Sequence, residues 1–118
     1  MFDHIGLRVK DLEAAARLYA AMLAPLGHVP GARGKEYAGF GPKDAPALWL
    51  HLNKKGGGAH VALRAASREA VDRFHAAGLQ AGARDNGAPG LRTDYAPNYY
   101  AAFLLDADGN NIEAVCMR

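Results

Sequence analysis

Cysteine and aromatic residues are scarce in this sequence, which has one cysteine, one tryptophan and 8% aromatic residues among 118. A single cysteine, Cys116, excludes an internal disulfide framework and a cysteine-based zinc site, and it favours a cytoplasmic location. No apolar run reaches the ~18 residues that a membrane span needs. The first residues include Asp3 and lack the apolar stretch of a signal peptide. We therefore expect no membrane partner.

A strong excess of one charge is also missing. The chain has 14 Lys and Arg against 12 Asp and Glu, a formal net charge of +2, and these charges are dispersed. This balance does not indicate a nucleic-acid partner. Half of the residues are hydrophobic and 22% are charged, which is typical of a globular protein. The length predicts one domain over residues 1–118.

An internal repeat divides this domain into two halves. Between positions 4 and 21, eight of 18 residues recur unchanged 56 positions later, without a gap. The matches include His4 with His60 and Arg8 with Arg64. The repeat predicts two modules, 1–55 and 59–118, joined by a short glycine-rich segment.

Each module is predicted to contain a strand, a helix and three further strands. Alternating apolar residues predict the strands, at 4–9, 28–33, 36–41 and 47–52 and at 60–65, 80–85, 99–105 and 111–116. Asp11 and Ser67 are expected to cap the two helices, and Gly27 and Gly78 are expected to end them. Segment 85–99 is expected to be a long loop, either a substrate lid or a connector. The fold class is α+β: two βαβββ modules that form an eight-stranded half-open barrel around a shared cleft.

Side-chain alternation predicts which residues face the cleft. His4 and Arg8 are expected there from the first strand, His60 from the fifth and Glu113 from the last. A two-residue turn centred on Ala107 and Asp108 would pair Glu113 with Ala102. That pairing places Tyr100 on the face of Glu113 and turns Phe103 towards the helix. Further residues expected to line the cleft are Tyr37, Trp49 and His51.

Two histidines and one carboxylate in a cleft form a recurrent site for divalent metals. Coordination positions left open by His4, His60 and Glu113 would allow a substrate oxygen to bind and be polarised. The alternative is that these side chains are ordinary polar residues, hydrogen-bonded to one another or to water. Arg8, or Arg92 in the expected loop, could bind an anionic substrate.

Three motifs resemble the vicinal oxygen chelate superfamily, which includes glyoxalase I, bleomycin-resistance proteins, fosfomycin-resistance enzymes and extradiol dioxygenases. The motifs are Asp3-His4-Ile5, Ala59-His60-Val61 and the segment from Asp106 to Glu113. The resemblance implies paired βαβββ modules, commonly a homodimer that sometimes exchanges modules, and metal ligands on the first, fourth, fifth and eighth strands. The fourth-strand position falls at Trp49, which cannot ligate a metal, or near His51, which could.

The resemblance and the residues together predict a metal-dependent enzyme of the glyoxalase-like kind, with isomerase, lyase or dioxygenase-like chemistry on a small molecule. His4, His60 and Glu113 would hold a divalent ion (Zn, Fe, Mn, Co or Ni), and Glu113 would also move a proton. Predicted substrate-binding residues are Trp49, His51, Tyr37, Tyr100, Arg92 and Arg8. The alternative function is a metal-free protein that sequesters a planar or cationic small molecule, as bleomycin-resistance proteins do.

Overall fold

The computed structural model describes all 118 residues. It contains eight strands in two four-stranded sheets, with one main helix for each sheet. The first module comprises β1 (Ile5–Val9), α1 (Leu12–Leu23), β2 (Val29–Arg33), β3 (Tyr37–Gly41) and β4 (Leu48–Leu52). The second comprises β5 (His60–Arg64), α2 (Arg68–Gln80), β6 (Arg84–Leu91), β7 (Tyr100–Leu105) and β8 (Asn111–Cys116). The predicted α+β fold of two βαβββ modules is confirmed, and the two sheets stay separate instead of closing into one barrel. No helix combines the length and apolar character needed to cross a membrane.

The two sheets repeat the same topology. Their strand orders are β1-β4-β3-β2 and β5-β8-β7-β6, and the first strand of each module pairs in parallel with the last. Gly6 lies opposite Trp49, and Ala62 lies opposite Glu113. Since Gly6 and Ala62 are equivalent in the repeat, Trp49 occupies the place in the first sheet that Glu113 occupies in the second.

The helices begin where the sequence predicts. The side chain of Asp11 accepts a hydrogen bond from the Ala14 amide, and that of Ser67 accepts one from the Ala70 amide. Gly27, with a φ of 86°, closes the short 3-10 turn that follows α1. Gly78 was predicted to end α2 but lies inside it. A Cβ atom there would come within 2.2 Å of Leu104 Cδ1, so close helix–sheet packing requires this glycine.

One hydrophobic core serves both modules. Each helix covers one face of its own sheet, and the two helices also pack against each other. Buried side chains of both modules therefore form a single cluster of 24 residues, with Tyr19 and Phe74 among the largest. The face of each sheet that is turned away from its helix is called its free face below.

A polar network joins the modules beside this core. Asn110 is fully buried, and its side-chain oxygen accepts hydrogen bonds from the amides of Gly58 and Ala59. Its side-chain nitrogen donates to the Arg8 carbonyl and to Asp106 Oδ2. Tyr19 of α1 donates its hydroxyl to the same Asp106 oxygen over 2.7 Å. The turn before β8 is thereby bonded to the linker and to the first module.

Strand β6 corrects the prediction for segment 85–99. It begins at Arg84 and continues to Leu91 across two register shifts, so only residues 92–99 connect it to β7. Asp85 supports the first shift, because its carboxylate accepts from the Gly87 amide and contacts His75 of α2. The sequence suggested a loop because glycine and proline usually interrupt strands. Here they occupy an irregular edge strand, so a lid of that length is excluded.

Candidate functional site

A histidine and a carboxylate meet on the free face of the second sheet. His60 begins β5, where Val61 is buried towards the helix and His60 is exposed on the opposite side. Glu113 lies on the neighbouring strand β8, and only 3% of its side chain is accessible to solvent. His60 Nε2 is 3.2 Å from Glu113 Oε1. These two predicted site residues are therefore brought together.

The partners of this pair determine its orientation. His60 Nδ1 is 3.0 Å from the Asn111 carbonyl oxygen. Because a carbonyl oxygen can only accept, Nδ1 is the donor of this hydrogen bond, and Nε2 is the ring nitrogen that faces Glu113. The other carboxylate oxygen of Glu113 accepts a hydrogen bond from the Tyr99 hydroxyl. Burial, with the hydrogen bond and charge of Glu113, raises the pKa of Tyr99 to about 12, so Tyr99 remains a donor at neutral pH.

Tyr99 was missed in the sequence because the turn before β8 was interpreted as two residues long. The structure has a five-residue connection, and Phe103 instead of Ala102 lies opposite Glu113. The Asp106 carboxylate accepts from the amides of Asp108 and Asn110, which stabilises this longer turn. The one-residue change exchanges the two faces of β7. Phe103 therefore belongs to the free face.

Tyr100, predicted to line the cleft, lies on the helix side of its sheet for the same reason. It packs against the core, and its hydroxyl donates to Asp72 of α2 over 2.5 Å. The guanidinium of Arg68 lies 5.1 Å from the centre of the Tyr100 ring. The predicted location of Tyr100 is therefore wrong, and this residue forms a surface contact between helix and sheet.

Phe103 contacts two other side chains on the free face of the second sheet. Its ring is stacked with that of His60 at a centroid distance of 6.4 Å. The guanidinium carbon of Arg92 lies 5.4 Å from the Phe103 ring centre. Arg92 also donates to the Ala88 carbonyl over 2.7 Å. A predicted substrate contact, Arg92, is thus placed on the same face as His60 and Glu113.

The free face of the first sheet is aromatic. Tyr37 and Trp49 are in contact, with a ring-centroid distance of 6.0 Å. The Trp49 ring lies over Gly39, where a Cβ would come within 2.6 Å of it. His51 lies on this face as well, with ring atom Nε2 at 3.3 Å from the position that a Gly6 Cβ would take. Arg8 is exposed opposite His51 in the parallel register.

The remaining predicted ligand lies apart from the His60–Glu113 pair. His4 directly precedes β1, is exposed, and places Nδ1 2.7 Å from Asp3 Oδ1. Within the single chain, no group of three or more His, Cys, Asp and Glu side chains is close enough to hold a metal ion. The chain therefore assembles two of the three predicted ligands but does not add His4 to them.

Several solved structures share this architecture. A glyoxalase/bleomycin resistance protein from Albidiferax ferrireducens is 31% identical, with a TM-score of 0.86 over 100% of this chain and 99% of that one. A glyoxalase/bleomycin resistance protein/dioxygenase family enzyme from Burkholderia phytofirmans is 17% identical, with a TM-score of 0.76 over 98% of each chain. A glyoxalase-related enzyme from Fulvimarina pelagi is 20% identical, with a TM-score of 0.74 over 95% of this chain and 84% of that one. The last two likenesses concern the fold alone.

No family model and no curated protein sequence matches the chain. The relative from Albidiferax ferrireducens nevertheless combines substantial identity with coverage of nearly the whole of both chains. Its family is also the one that the three sequence motifs resemble. The chain belongs to the glyoxalase/bleomycin resistance protein family, within the vicinal oxygen chelate superfamily.

Proposed function

We propose that this protein is a metal-dependent small-molecule enzyme whose divalent ion is held by His4, His60 and Glu113. The observation that carries the proposal is the His60–Glu113 pair, in which an imidazole nitrogen and a carboxylate oxygen are 3.2 Å apart. The donor set fits a metal, since Nδ1 of His60 is bonded to a carbonyl and the other ring nitrogen, Nε2, faces the Glu113 carboxylate. Two such donors suit Zn, Fe, Mn, Co or Ni.

The expected chemistry is isomerisation or a lyase reaction on a substrate with two adjacent oxygens. The bound ion would polarise those oxygens and stabilise negative charge that develops on them. Glu113 would accept or return a proton at its carboxylate, and Tyr99 would keep that group oriented. Trp49, Tyr37 and His51 would bind the remainder of the substrate on the first sheet, together with Arg8.

A second copy of the chain would complete the site in this proposal. His60 and Glu113 lie on the free face of the second sheet, whereas His4 precedes β1 of the first. The two positions are equivalent in the repeat, so a two-fold arrangement would bring one module of each copy together. The proposed assembly is a homodimer in which the substrate binds between the first module of one subunit and the second module of the other.

Mixed dimers test this assembly. The variants His4→Ala and His60→Ala, each alone, should bind no metal. Given different affinity tags and co-expressed, they form a heterodimer in which one site combines the intact His4 of one chain with the intact His60 of the other. We expect about one ion per heterodimer, measured by elemental analysis, because only a site that takes ligands from both chains has a complete ligand set.

Three controls define the result. The unmixed variants should remain folded and dimeric, as judged by circular dichroism and light scattering. Wild-type protein purified in parallel should contain two ions per dimer under the same conditions. A heterodimer without metal, beside a loaded wild-type protein, would show that each site is built within one chain.

Tyr99→Phe tests the orientation of Glu113. The change removes one hydroxyl and leaves a carboxylate oxygen without its donor. Loss of such an outer contact commonly lowers metal affinity about 10–100-fold. We expect a decrease in this range, measured by competition with a chromogenic chelator. Tyr95→Phe is the matched control, because the Tyr95 ring contacts Tyr99 edge-on but makes no bond to Glu113. An equal loss in both variants would contradict the positioning role.

A second candidate function is metal-free sequestration of a planar molecule. The contact of Trp49 with Tyr37 favours it, because Trp49 stands where the repeat would otherwise place a fourth ligand. Stacking on these rings would need no metal. Wild-type protein that binds no divalent ion, but whose Trp49 fluorescence is quenched by planar aromatic compounds, would favour this function over the enzyme.

A further inference from the structure

Arg92 is a cation without a carboxylate partner beside the proposed site. Its guanidinium lies against the Phe103 ring and donates a hydrogen bond to the Ala88 carbonyl. By contrast, Arg33 and Arg73 have carboxylates of Glu13 and Glu69 within 4.0 Å. The Arg92 side chain is half-buried. A partly desolvated charge that is left without a counter-ion favours binding of an external anion.

Two glycines of β6 make room for this arrangement. A Cβ at Gly90 would lie 3.1 Å from Arg92 Nη1. A Cβ at Gly87 would lie 2.8 Å from the Phe103 ring and 3.2 Å from Arg92 Nη2. The guanidinium can therefore lie against both the strand and the ring. This contact restricts its orientation before any ligand binds, which reduces the entropy lost on binding.

The position of Arg92 relates it to the proposed metal ligands. The Phe103 ring that carries the guanidinium is the ring stacked with His60. Glu113 does not neutralise Arg92, since its two oxygens face His60 and Tyr99. Arg64 also points to this free face and has no carboxylate within 4.0 Å. Arg92 and Arg64 are therefore two cations of this free face that have no carboxylate partner.

We infer that the substrate carries an anionic group, a carboxylate or a phosphoryl-type group, and that Arg92 binds it as the specificity-determining residue. This inference rests on the proposed function, because it places the substrate's oxygen pair at His60 and Glu113. The planar fork of arginine offers two parallel hydrogen bonds to either type of anion. A neutral substrate of the same shape would lose these bonds and leave the cation unpaired.

Matched aromatic probes test the anion site without any metal. Binding of benzoate and benzamide to metal-free protein is measured by calorimetry, with phenylphosphonate as a second anion. We expect benzoate or phenylphosphonate to bind about 10–100-fold more tightly than benzamide, the range for hydrogen bonds to a charged group. The tighter of the two anions identifies the type of group. Equal binding of all three probes to wild-type protein would overturn the inference.

Variants test whether Arg92 causes the preference for the anionic probes over benzamide. Arg92→Gln should abolish this preference. Arg92→Lys, which keeps the charge but loses the planar guanidinium, should retain only part of it. Arg73→Gln is the control, since it removes the same charge from the exposed surface of α2. Preference that survives in Arg92→Gln, or that falls equally in Arg73→Gln, would refute the specific role of Arg92.

A second probe pair separates this inference from the proposed function. Metal-loaded protein is titrated with catechol and with 3,4-dihydroxybenzoate, which share a chelating oxygen pair and differ by one carboxylate. Binding of catechol with no Arg92-dependent gain for the acid would contradict the anion site and leave the metal enzyme standing. An Arg92-dependent preference for benzoate in protein that takes up no metal would support the anion site and contradict the metal enzyme.

Discussion

His60→Ala is expected to eliminate metal binding, from about one ion per chain to none, without unfolding the protein. The imidazole is half-exposed on the free face and contributes nothing to the helix side of β5. Its removal leaves Glu113 as the only ligand of the pair, and a single carboxylate holds a transition metal poorly. Elemental analysis after reconstitution with each divalent ion measures the loss, and thermal unfolding measures the fold.

Two further variants test whether the loss of metal is specific to the proposed ligands. Glu113→Gln should also abolish binding, because the amide has the shape of the carboxylate but not its charge. His75→Ala is the histidine control, since His75 lies on α2 and its Nε2 is bonded to Asp85. Full metal content in His60→Ala would contradict the ligand assignment. Loss in His75→Ala would indicate that the effect is not specific to the site.

Asn110→Ala is expected to destabilise the protein by about 3–5 kcal/mol. The side chain is 0% exposed and makes hydrogen bonds with four groups, at 2.8, 3.0, 3.2 and 2.8 Å. Alanine would leave the amides of Gly58 and Ala59 and the carbonyl of Arg8 without this partner, at about 1–3 kcal/mol for each group that water cannot reach. Chemical unfolding monitored by circular dichroism measures the difference.

Asn111→Ala is the matched control for this stability prediction. The residue is adjacent and only partly buried, and its side-chain oxygen is buried without a hydrogen-bond partner. Its backbone carbonyl, which receives the bond from His60, is retained in the variant. We expect a change below about 1 kcal/mol. Similar losses for both variants would show that the Asn110 network does not stabilise the junction between modules.

The repeat made most of the fold predictable. Identical residues at a constant offset, followed by the same order of strands and helices, indicated two βαβββ modules, and the structure contains them. Local chemistry also predicted the helix starts at Asp11 and Ser67, because capping depends on residues within one turn. The packing role of Gly78 was not predictable, since it depends on Leu104, which lies far away in the chain.

The site was only partly predictable from the residues. Side chains alternate between the two faces of a strand, and β5 is short and regular. The buried position of Val61 was therefore enough to predict that its neighbour His60 lies on the free face. The residues around Glu113 depended on the length of one turn, and an error of one position exchanged Phe103 with Tyr100. The bond of Tyr99 to Glu113 and the contact of Arg92 with Phe103 could be recognised only with the observed register of β7 on β8.

The sequence by itself determined the two-module architecture, the succession of strands and helix along each module and the candidate ligands His4, His60 and Glu113, since periodicity and repetition are properties of neighbouring residues. Only the tertiary structure decided which ligands meet within one chain, which aromatic residue faces Glu113, and that Arg92 reaches the same face without a carboxylate partner. These features depend on turn length, sheet register and packing between distant segments. Such long-range relations leave no periodic signal in the sequence.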